Sequence, residues 1–377
     1  MQALETRSAP RRNRLRCLAG LLATGLLTCS SPAPFKEHSA AGGRLRQVDE
    51  VWILELEGTP AERGKAEGEV LGEQIRWLIP KFAEKLFGAD GLSDSQRRTV
   101  ELLKASIPPD HLVQLKAMAK AASVDETSLV ALNLALEIFS PMLCSCLAVN
   151  AKASQGGTMK IGRNLDWFGG EMLQHHALIV VERGPGIQTF AHVTWPGLVG
   201  AVTGINDHKV FAADLAVIGM RADATAGTPV MFGVRQILEH ATSADAARLH
   251  ITEMKRTVPQ NYLFADPGQA FVLETKPAGV RPRELADGWV GVANLQNEDQ
   301  KAHPDSRYKK MQTRAQTGAL GSQQLKELLL DVSMGELTVQ SVVMDLSSGE
   351  LSFATAKRPA AKGPWHKVDT TTLLATP

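Results

Sequence analysis

The stretch Leu143–Trp167, LCSCLAVNAKASQGGTMKIGRNLDW, decides the fold prediction for this chain. Two apolar runs flank a polar break that contains two glycines, a pattern that predicts two antiparallel strands joined by a turn. Because side chains alternate between the two faces of a strand, Cys144 and Cys146 are predicted to share one face of the first strand. The second strand then carries Arg163 and ends near Asp166.

The residue types in this stretch suit nucleophilic catalysis by a thiol. A guanidinium near a cysteine favours the thiolate, which is the attacking species. Strict alternation puts Asp166 on the opposite face from Arg163, so both can serve one site only if the second strand ends or bends near Asn164. No histidine motif accompanies Cys144, so another base is needed. A cysteine that begins a processed chain has one, because its own α-amine, with a pKa of about 8, can accept the thiol proton.

The four cysteines of the chain limit its redox and metal chemistry. Cys17 and Cys29 lie in the N-terminal segment, which leaves Cys144 and Cys146 for the folded body. Two cysteines are too few for a disulfide scaffold, and a C-x-C pair without a nearby C-x-x-C or histidine pair has the wrong spacing for zinc. We therefore expect neither a metal nor a cofactor. A redox-active pair of Cys144 and Cys146 stays open as an alternative, because export leads to an oxidising compartment.

The N-terminal segment resembles a targeting signal. In residues 1–28 basic residues precede a short apolar run, which is the layout of a secretory signal peptide. The residues Leu26–Cys29, LLTC, resemble a bacterial lipobox and predict lipidation of Cys29; plain export and an uncleaved tail are the alternatives. Residues 29–49 are polar and rich in small residues, and predict a flexible tether. We expect an exported bacterial protein that is periplasmic or anchored to the membrane as a lipoprotein.

Charge excludes one class of partner. The formal net charge is +1, and residues 1–28 hold five arginines against one glutamate. The rest of the chain is therefore mildly acidic and has no basic stripe that could attract the phosphates of a nucleic acid. We expect contact with a membrane only through the N-terminal lipid. The sequence does not predict an oligomeric state.

The folded sequence begins with a strand and a helix. Residues 51–58 predict the strand, and Thr59–Glu62 combine a capping box with proline at the first helical position, which predicts a helix start. Gly64, Gly68 and Gly72 recur along one face of this helix. Glycine weakens a helix, so three at this spacing indicate that another element packs closely against the backbone.

The order of the predicted elements favours one domain. Residues 59–139 are predicted to be helical, with Pro80 bending or ending the first helix. From residue 143 onward hairpins outnumber β-α-β units, which favours antiparallel sheets covered by helices over a doubly wound parallel sheet. A helical segment, 50–143, is thus expected to pack with a catalytic portion, 144–377.

Several motifs, in order along the chain, resemble one enzyme family. CSCLAV and IGRNLDW resemble the N-terminal hairpin of the cysteine N-terminal-nucleophile (Ntn) hydrolases, which include choloylglycine hydrolases and acid ceramidase. The chain is most similar to the acyl-coenzyme A:6-aminopenicillanic acid acyltransferase family (peptidase family C45). The resemblance extends from about residue 50 to the end through further segments: ELEGTPAERGKAEGEVLGEQI, LVALNLALEIF, TWPGLVGAVTGIN and NYLFADPGQAFVLE.

The resemblance implies a four-layered αββα sandwich of antiparallel sheets and autoproteolysis before the nucleophile. In the family a Ser or Thr follows the nucleophile, which fits Cys144 followed by Ser145 and does not fit Cys146. Cleavage is therefore expected between Leu143 and Cys144, with residues 50–143 as a pro-segment or small subunit. The implied activity is hydrolysis or acyl transfer on a small-molecule acyl amide, through an acyl-thioester on Cys144.

The resemblance also implies roles for other residues. Arg163 stabilises the thiolate, and Asp166 hydrogen-bonds and tunes the new α-amine. Asn294 corresponds to an oxyanion-hole asparagine, a donor aimed at charge that develops in the tetrahedral intermediate, and Arg307 to a buried active-site arginine. The alternatives are a surface ion pair for Arg163, a turn cap for Asp166, a strand-end turn for Asn294 and a surface position for Arg307. Cys146 is expected to be a small buried apolar residue.

The chain departs from the family pattern at three places. Glu67 stands where the family usually has histidine, a glycine is missing near Lys209, and Asp214 stands where the family often has asparagine. These departures motivate a second hypothesis, a catalytically inactive, lipid-anchored binding protein of the same fold. Asn133 and Glu137, one helical turn apart before the predicted cleavage point, are candidates to buttress the nucleophile; the alternative is a polar face of the helix.

Overall fold

The computed structural model describes residues 34–138, 142–218, 224–302 and 304–375. These residues belong to one compact unit, Pro32–Pro377. The predicted signal peptide, 1–28, and the predicted lipidation site, Cys29, lie outside the described residues, so both stay predictions.

The larger of two sheets has ten strands in the described part of the chain, in the order β1-β2-β3-β6-β7-β8-β9-β10-β11-β12. Its strands pair antiparallel except β3 and β6, which are parallel. The bounds are β1 His38–Ala40, β2 Gly43–Val48, β3 Val51–Glu57, β6 Leu178–Arg183, β7 Phe190–Thr194, β8 Thr203–Asn206, β9 Phe211–Ala216, β10 Gln260–Ala265, β11 Ala270–Lys276 and β12 Gly279–Glu284.

The smaller sheet has six described strands, all antiparallel, in the order β13-β4-β5-β14-β15-β16. The bounds are β4 Leu143–Val149, β5 Lys160–Asp166, β13 Trp289–Val292, β14 Thr338–Asp345, β15 Glu350–Ala354 and β16 His366–Asp369. The β4–β5 hairpin that the opening stretch predicts therefore lies inside this sheet, between β13 and β14.

Thirteen α-helices lie in the described part of the chain. None of them is both long enough and apolar enough to cross a bilayer. The bounds are α1 Pro60–Val70, α2 Gly72–Phe87, α3 Asp94–Lys104, α4 Pro109–Ala122, α5 Glu126–Asn133, α6 Ala135–Ile138, α7 Gly170–Gln174, α8 Val230–His240, α9 Ala244–Glu253, α10 Asn297–Ala302, α11 Ser306–Thr317, α12 Ser322–Asp331 and α13 Thr370–Leu374.

These elements form four layers. Helices α1, α8 and α9 pack on the larger sheet, and α11 and α12 pack on the smaller one. The two sheets face each other, with β4 against β9 and β10. A sheet must bury its apolar faces against other layers. In this arrangement each sheet has the other sheet on one face and helices on its opposite face. The predicted αββα sandwich is confirmed.

Alternation along β4 separates two cores, as predicted. Cys144 and Cys146 belong to the large core that includes the space between the sheets, while Leu147 and Val149 belong to the core under α11 and α12. In the pairing of β4 with β5, Cys146 lies opposite Arg163. The register therefore points the two thiols and this arginine into the space between the sheets.

The structure corrects the tether predicted over residues 29–49. Of its described residues, 38–40 and 43–48 form β1 and β2, which extend the larger sheet beside β3. Leu45 is only 2% exposed, and Arg46 forms an ion pair with Glu55 of β3. The prediction was wrong because β2 buries few apolar side chains, so its alternation was weak. Pro80 also lies inside α2, and the helical run is interrupted earlier, at Leu71.

The sequence predicts close packing at Gly64, Gly68 and Gly72, and the structure shows it for the two that lie in α1. A Cβ built on Gly64 would lie 2.1 Å from the carbonyl oxygen of Gln114 in α4, and one on Gly68 would lie 2.7 Å from that of Met118. A Cβ on Gly72 would meet only the flexible side chain of Arg76. The capping box at Thr59, which begins α1, is confirmed.

The close contact of α1 with α4 predicts the effect of a single methyl group. Alanine in place of glycine gains about 1 kcal/mol of helix propensity, but Gly64→Ala places its methyl group inside the contact distance of a backbone atom. We expect a net loss of about 1–3 kcal/mol in the free energy of unfolding, measured by urea denaturation. Gly279→Ala is the control, because nothing lies within 4 Å of its Cβ position; equal effects of both changes would contradict the packing account.

Candidate active site

The candidate nucleophile, Cys144, lies at the start of the inner strand β4 and is fully buried. Its Sγ lies 3.5 Å from Nη2 of Arg163 on the neighbouring strand β5. Nη1 of Arg163 donates to the main-chain oxygen of Asp214 on β9 of the other sheet, at 2.8 Å. One guanidinium therefore links the thiol to the opposite side of the sandwich.

The backbone of Cys144 contacts two further predicted residues. Its N–H donates to Oδ1 of Asn294 at 2.9 Å, and its carbonyl oxygen accepts from Nη1 of Arg307 at 3.1 Å. Nη2 of Arg307 also donates to Oδ1 of Asn294, at 2.8 Å. Two donors converge on this atom, so it must be the amide oxygen. The amide nitrogen of Asn294 then donates to the carbonyl oxygen of Ala216, at 2.7 Å.

Asp166 joins the site from the other face of β5. Its Oδ1 accepts from the hydroxyl of Thr338 at 2.5 Å, and its Oδ2 lies 3.4 Å from Nη1 of Arg307. Strand β5 does not end at Asn164 but continues to Asp166, with a register shift in its pairing with β14 between Thr338 and Gln340. The two faces meet because Arg307 bridges Asp166 to the carbonyl oxygen of Cys144 at the strand end.

Arg307 is held by a neighbour that the sequence analysis did not single out. Asp305, the N-cap of α11, accepts from the N–H of Arg307, and its Oδ2 lies 2.7 Å from Nη2 of the same residue. An aspartate just before a helix is a recognisable N-cap signal. The sequence DSRY could therefore have indicated this pair.

Burial sets the electrostatics of the site. It raises the pKa of the Cys144 thiol to about 12, although Arg163 opposes the rise. Burial also raises the pKa of Asp166 to about 6, against the hydrogen bond from Thr338 and the charge of Arg307. In the uncleaved chain the thiol is therefore protonated at neutral pH, and it needs a base to become a nucleophile.

Asp214 belongs to the site, a position that the sequence analysis noted only as a departure from the family pattern. It is fully buried on β9, and Oδ2 accepts from Nε2 of Gln260 at 2.8 Å. Oδ1 has no hydrogen-bond partner and lies 3.8 Å from Nη2 of Arg163. Burial raises the pKa of Asp214 to about 7. No local sequence pattern predicts the contact of Asp214 with Arg163, because the two residues lie on different sheets.

Asn133 binds the backbone of a loop and does not contact Cys144 in the described residues. Its side-chain oxygen accepts from the N–H groups of Val199 and Gly200, and its nitrogen donates to the carbonyl oxygen of Gly197. This loop follows Trp195, which packs edge-on against Trp167 just after Asp166. Asn133 therefore stabilises the loop after Trp195 rather than the nucleophile itself.

Glu67 and Glu137 also hold backbone groups. Glu67 accepts from the N–H of Gly197 at 3.2 Å. Oε1 of Glu137 accepts from the N–H of Val230, which begins α8, and from the hydroxyl of Thr257. Both carboxyl groups thus satisfy donors that would otherwise be unpaired.

The two thiols of the folded body are free and buried, and Cys146 makes no described contact with the catalytic candidates other than its pairing opposite Arg163. Burial raises the pKa of Cys146 to about 12. In the described residues no cluster of three or more His, Cys, Asp or Glu side chains could hold a metal ion.

Comparison with known proteins identifies the family of this chain. Residues 153–365, more than half of the chain, match the acyl-coenzyme A:6-aminopenicillanic acid acyl-transferase family. The chain belongs to this family. Arg163, Asp166, Asn294 and Arg307 lie inside the matched segment, whereas Cys144 precedes it.

Individual relatives are distant. Protein dcd1A of Dictyostelium discoideum is 24% identical over 237 residues, which cover 54% of this chain and 53% of that protein. The chain spans about half the length of the curated relatives it matches. A Caenorhabditis elegans N-acylethanolamine-hydrolyzing acid amidase ortholog aligns with a TM-score of 0.46 at 18% identity, over 54% of this chain and 93% of that one. A mutant of conjugated bile acid hydrolase from Clostridium perfringens gives 0.45 at 13% identity, over 61% and 93%.

The buried Glu67 predicts a pH-dependent loss of stability. Burial raises its pKa from 4.5 to about 8, and neighbouring Glu182 adds to the rise. Folding therefore favours the protonated acid, so this stability is present below about pH 4.5 and is lost as the pH rises through 8. We expect Glu67→Gln, which keeps an acceptor for Gly197, to reduce the fall in unfolding free energy between about pH 5 and pH 8, measured by urea denaturation at a series of pH values.

Glu69→Gln is the matched control, because Glu69 lies on the same helix with an exposed side chain. Its pH profile should equal that of the unchanged protein. An unchanged profile in Glu67→Gln as well would show that Glu67 is not buried as a neutral acid.

Proposed function

We propose that the chain is an exported, autoproteolytic cysteine amidohydrolase or acyltransferase in which Cys144 is the nucleophile. One observation carries the proposal: three groups of the same residue meet three different polar side chains. The thiol meets Arg163, the amide nitrogen meets Asn294, and the carbonyl oxygen meets Arg307. A residue that is only a buried apolar filler has no need of such contacts.

The first step of the proposal is cleavage of the chain before Cys144. Sγ attacks the carbonyl carbon of Leu143, the peptide C–N bond breaks, and the acyl group moves from nitrogen to sulfur as a thioester. The nitrogen of Cys144 takes up the thiol proton and becomes an amine. Water then hydrolyses the thioester and leaves Cys144 as the first residue of a new chain.

The second step uses that amine as the base. Its ordinary pKa is about 8, so near neutral pH it can take the Sγ proton that burial otherwise retains. Asn294 already accepts a hydrogen bond from this nitrogen at 2.9 Å and would hold the free amine in place. Asp166 lies beside Arg307 and adds negative charge near the protonated amine.

The reaction with the substrate also begins with attack by Sγ on a carbonyl carbon, and the amine of Cys144 carries the proton. The thiolate adds to the carbonyl carbon of an acyl amide, the ammonium returns a proton to the departing nitrogen, and an acyl-thioester remains on Cys144. Water or a second amine attacks the thioester and takes the acyl group. Nε of Arg163 is buried without a hydrogen-bond partner, so the guanidinium next to Sγ has a donor free for the developing oxyanion.

The segment before the cleavage point would stay bound after cleavage. Strand β3 lies inside the larger sheet, between β2 and β6. Arg63 of α1 forms a buried ion pair with Glu182 of β6 at 2.8 Å, and His111 of α4 meets Glu239 of α8 at the same distance. Removing one partner from a buried ion pair costs several kcal/mol. We therefore propose two fragments that remain one folded unit.

Export rests on the N-terminal pattern of a basic segment, an apolar run and the LLTC tetrapeptide. The lipid anchor on Cys29 and a location in the periplasm or at a bacterial membrane are part of this proposal.

Mass analysis of the denatured protein tests the cleavage. We expect a fragment that begins at Cys144, and a single uncut chain in the variant Cys144→Ala, because the attacking sulfur is missing. Cys146→Ala is the control and should still be cleaved. Incubation with an acyl amide followed by rapid acid quenching should add the acyl mass to the Cys144 fragment.

Two outcomes would contradict the proposal. Cleavage in Cys144→Ala would place the nucleophile elsewhere. An uncut, unreactive chain would favour the inactive binding protein of the same fold.

A further inference from the structure

We propose that Asp214 and Glu137 form a binding site for a protonated amino group on the substrate, close to the amide that Cys144 attacks. The inference rests on the proposed function and names its substrate class: acyl amides that carry an ammonium group, in preference to those that carry a carboxylate or sulfonate.

One carboxylate oxygen of Asp214 has no hydrogen-bond donor and lies 3.8 Å from Nη2 of Arg163. Oδ2 is used by Gln260, but Oδ1 is buried and has no hydrogen-bond donor. The side chain is fully buried on the face of β9 that meets Arg163, and Arg163 contacts the thiol of Cys144. A buried acceptor without a donor costs free energy in the ligand-free protein, so a ligand that supplies a donor is stabilised there.

Glu137 has a second unused oxygen nearby. Its Oε1 receives the N–H of Val230 and the hydroxyl of Thr257, while its Oε2 is buried without a partner. Glu137 lies at the end of the helical segment that leads to the nucleophile, six residues before Leu143 in the sequence. The two oxygens therefore come from the segments on either side of the predicted cleavage point.

The two acids lie near each other, because Glu137 accepts from Thr257 and Asp214 accepts from Gln260, three residues further along the same segment. The charge of Asp214 adds to the rise in the pKa of Glu137, which burial takes to about 7. Both acids also raise the pKa of Tyr262, which lies opposite Asp214 in the pairing of β9 with β10. Two like charges at one buried place repel each other, and a cation between them would relieve that repulsion.

In the described part of the chain, the site's two cations are already committed. Arg163 is shared by the thiol and Asp214. Arg307 is paired with Asp305 and Asp166. Each guanidinium is paired with at least one carboxyl group, whereas Oε2 of Glu137 and Oδ1 of Asp214 lack a hydrogen-bond donor. The charge balance therefore favours a cationic ligand group over an anionic one.

Three substrates of similar length test the inference: lauroyl amides of ethylenediamine, ethanolamine and β-alanine, which end in an ammonium, a hydroxyl and a carboxylate group. At pH 8 the cleaved protein should use the ammonium compound with a kcat/KM at least tenfold above that of the carboxylate compound, with the hydroxyl compound between them. Product formation is followed by chromatography with mass detection.

Two variants show which residues cause the preference. Asp214→Asn and Glu137→Gln each keep an amide oxygen for the donors already present and remove one negative charge. Each should lower the ammonium-to-carboxylate ratio at least threefold. Because both substrates are measured on one preparation, the ratio is independent of how much of a variant folds or is cleaved. Glu69→Gln, an exposed acid changed in the same way, should leave the ratio unchanged.

The outcomes separate this inference from the proposed function. Turnover of all three substrates with no preference, a preference for the carboxylate, or a ratio unchanged in both variants overturns the binding site and leaves the proposed function standing. An uncleaved chain that acts on none of them overturns the proposed function, and this inference with it.

Discussion

The position of Cys144 at the start of an inner strand is the constraint on which the rest of the site depends. There its side chain points between the sheets towards Arg163. The pairing of β4 with β13 ends at Cys146, so the backbone groups of Cys144 on that side can meet Asn294 and Arg307. A cysteine in the middle of β4, such as Cys146, has its backbone committed to the strand pairing. Only the strand end offers the thiol, the nitrogen and the carbonyl oxygen of one residue to the same site.

Burial then determines how that residue can act. It holds the thiol of Cys144 protonated, with a pKa of about 12, and it raises the pKa of Glu67 to about 8 and that of Glu137 and Asp214 to about 7. A base from bulk solvent would have to enter the same buried space. An amine created on the nucleophile itself needs no entry path, which is why a break in the backbone suits this architecture.

The sequence predicted those features that depend on local patterns. The β4–β5 hairpin followed from alternation, the start of α1 followed from the capping box at Thr59, and the close packing of α1 followed from Gly64 and Gly68. The strand β2 was missed because it buries little apolar surface, so its burial depends on β3 and not on its own pattern. Asp214 was undervalued because its partner, Arg163, lies on the other sheet, and no local spacing encodes a contact between sheets.

The most direct measurement of the central claim is the rate of alkylation of Cys144 by iodoacetamide against pH, with mass analysis of intact chain and fragment in one sample. If the amine freed by cleavage activates the thiol, label should appear on the fragment that begins at Cys144, with a midpoint near the amine pKa of about 8. Intact chains should stay unlabelled at that pH. Equal labelling of Cys144 in chains still joined to Leu143 would contradict the account.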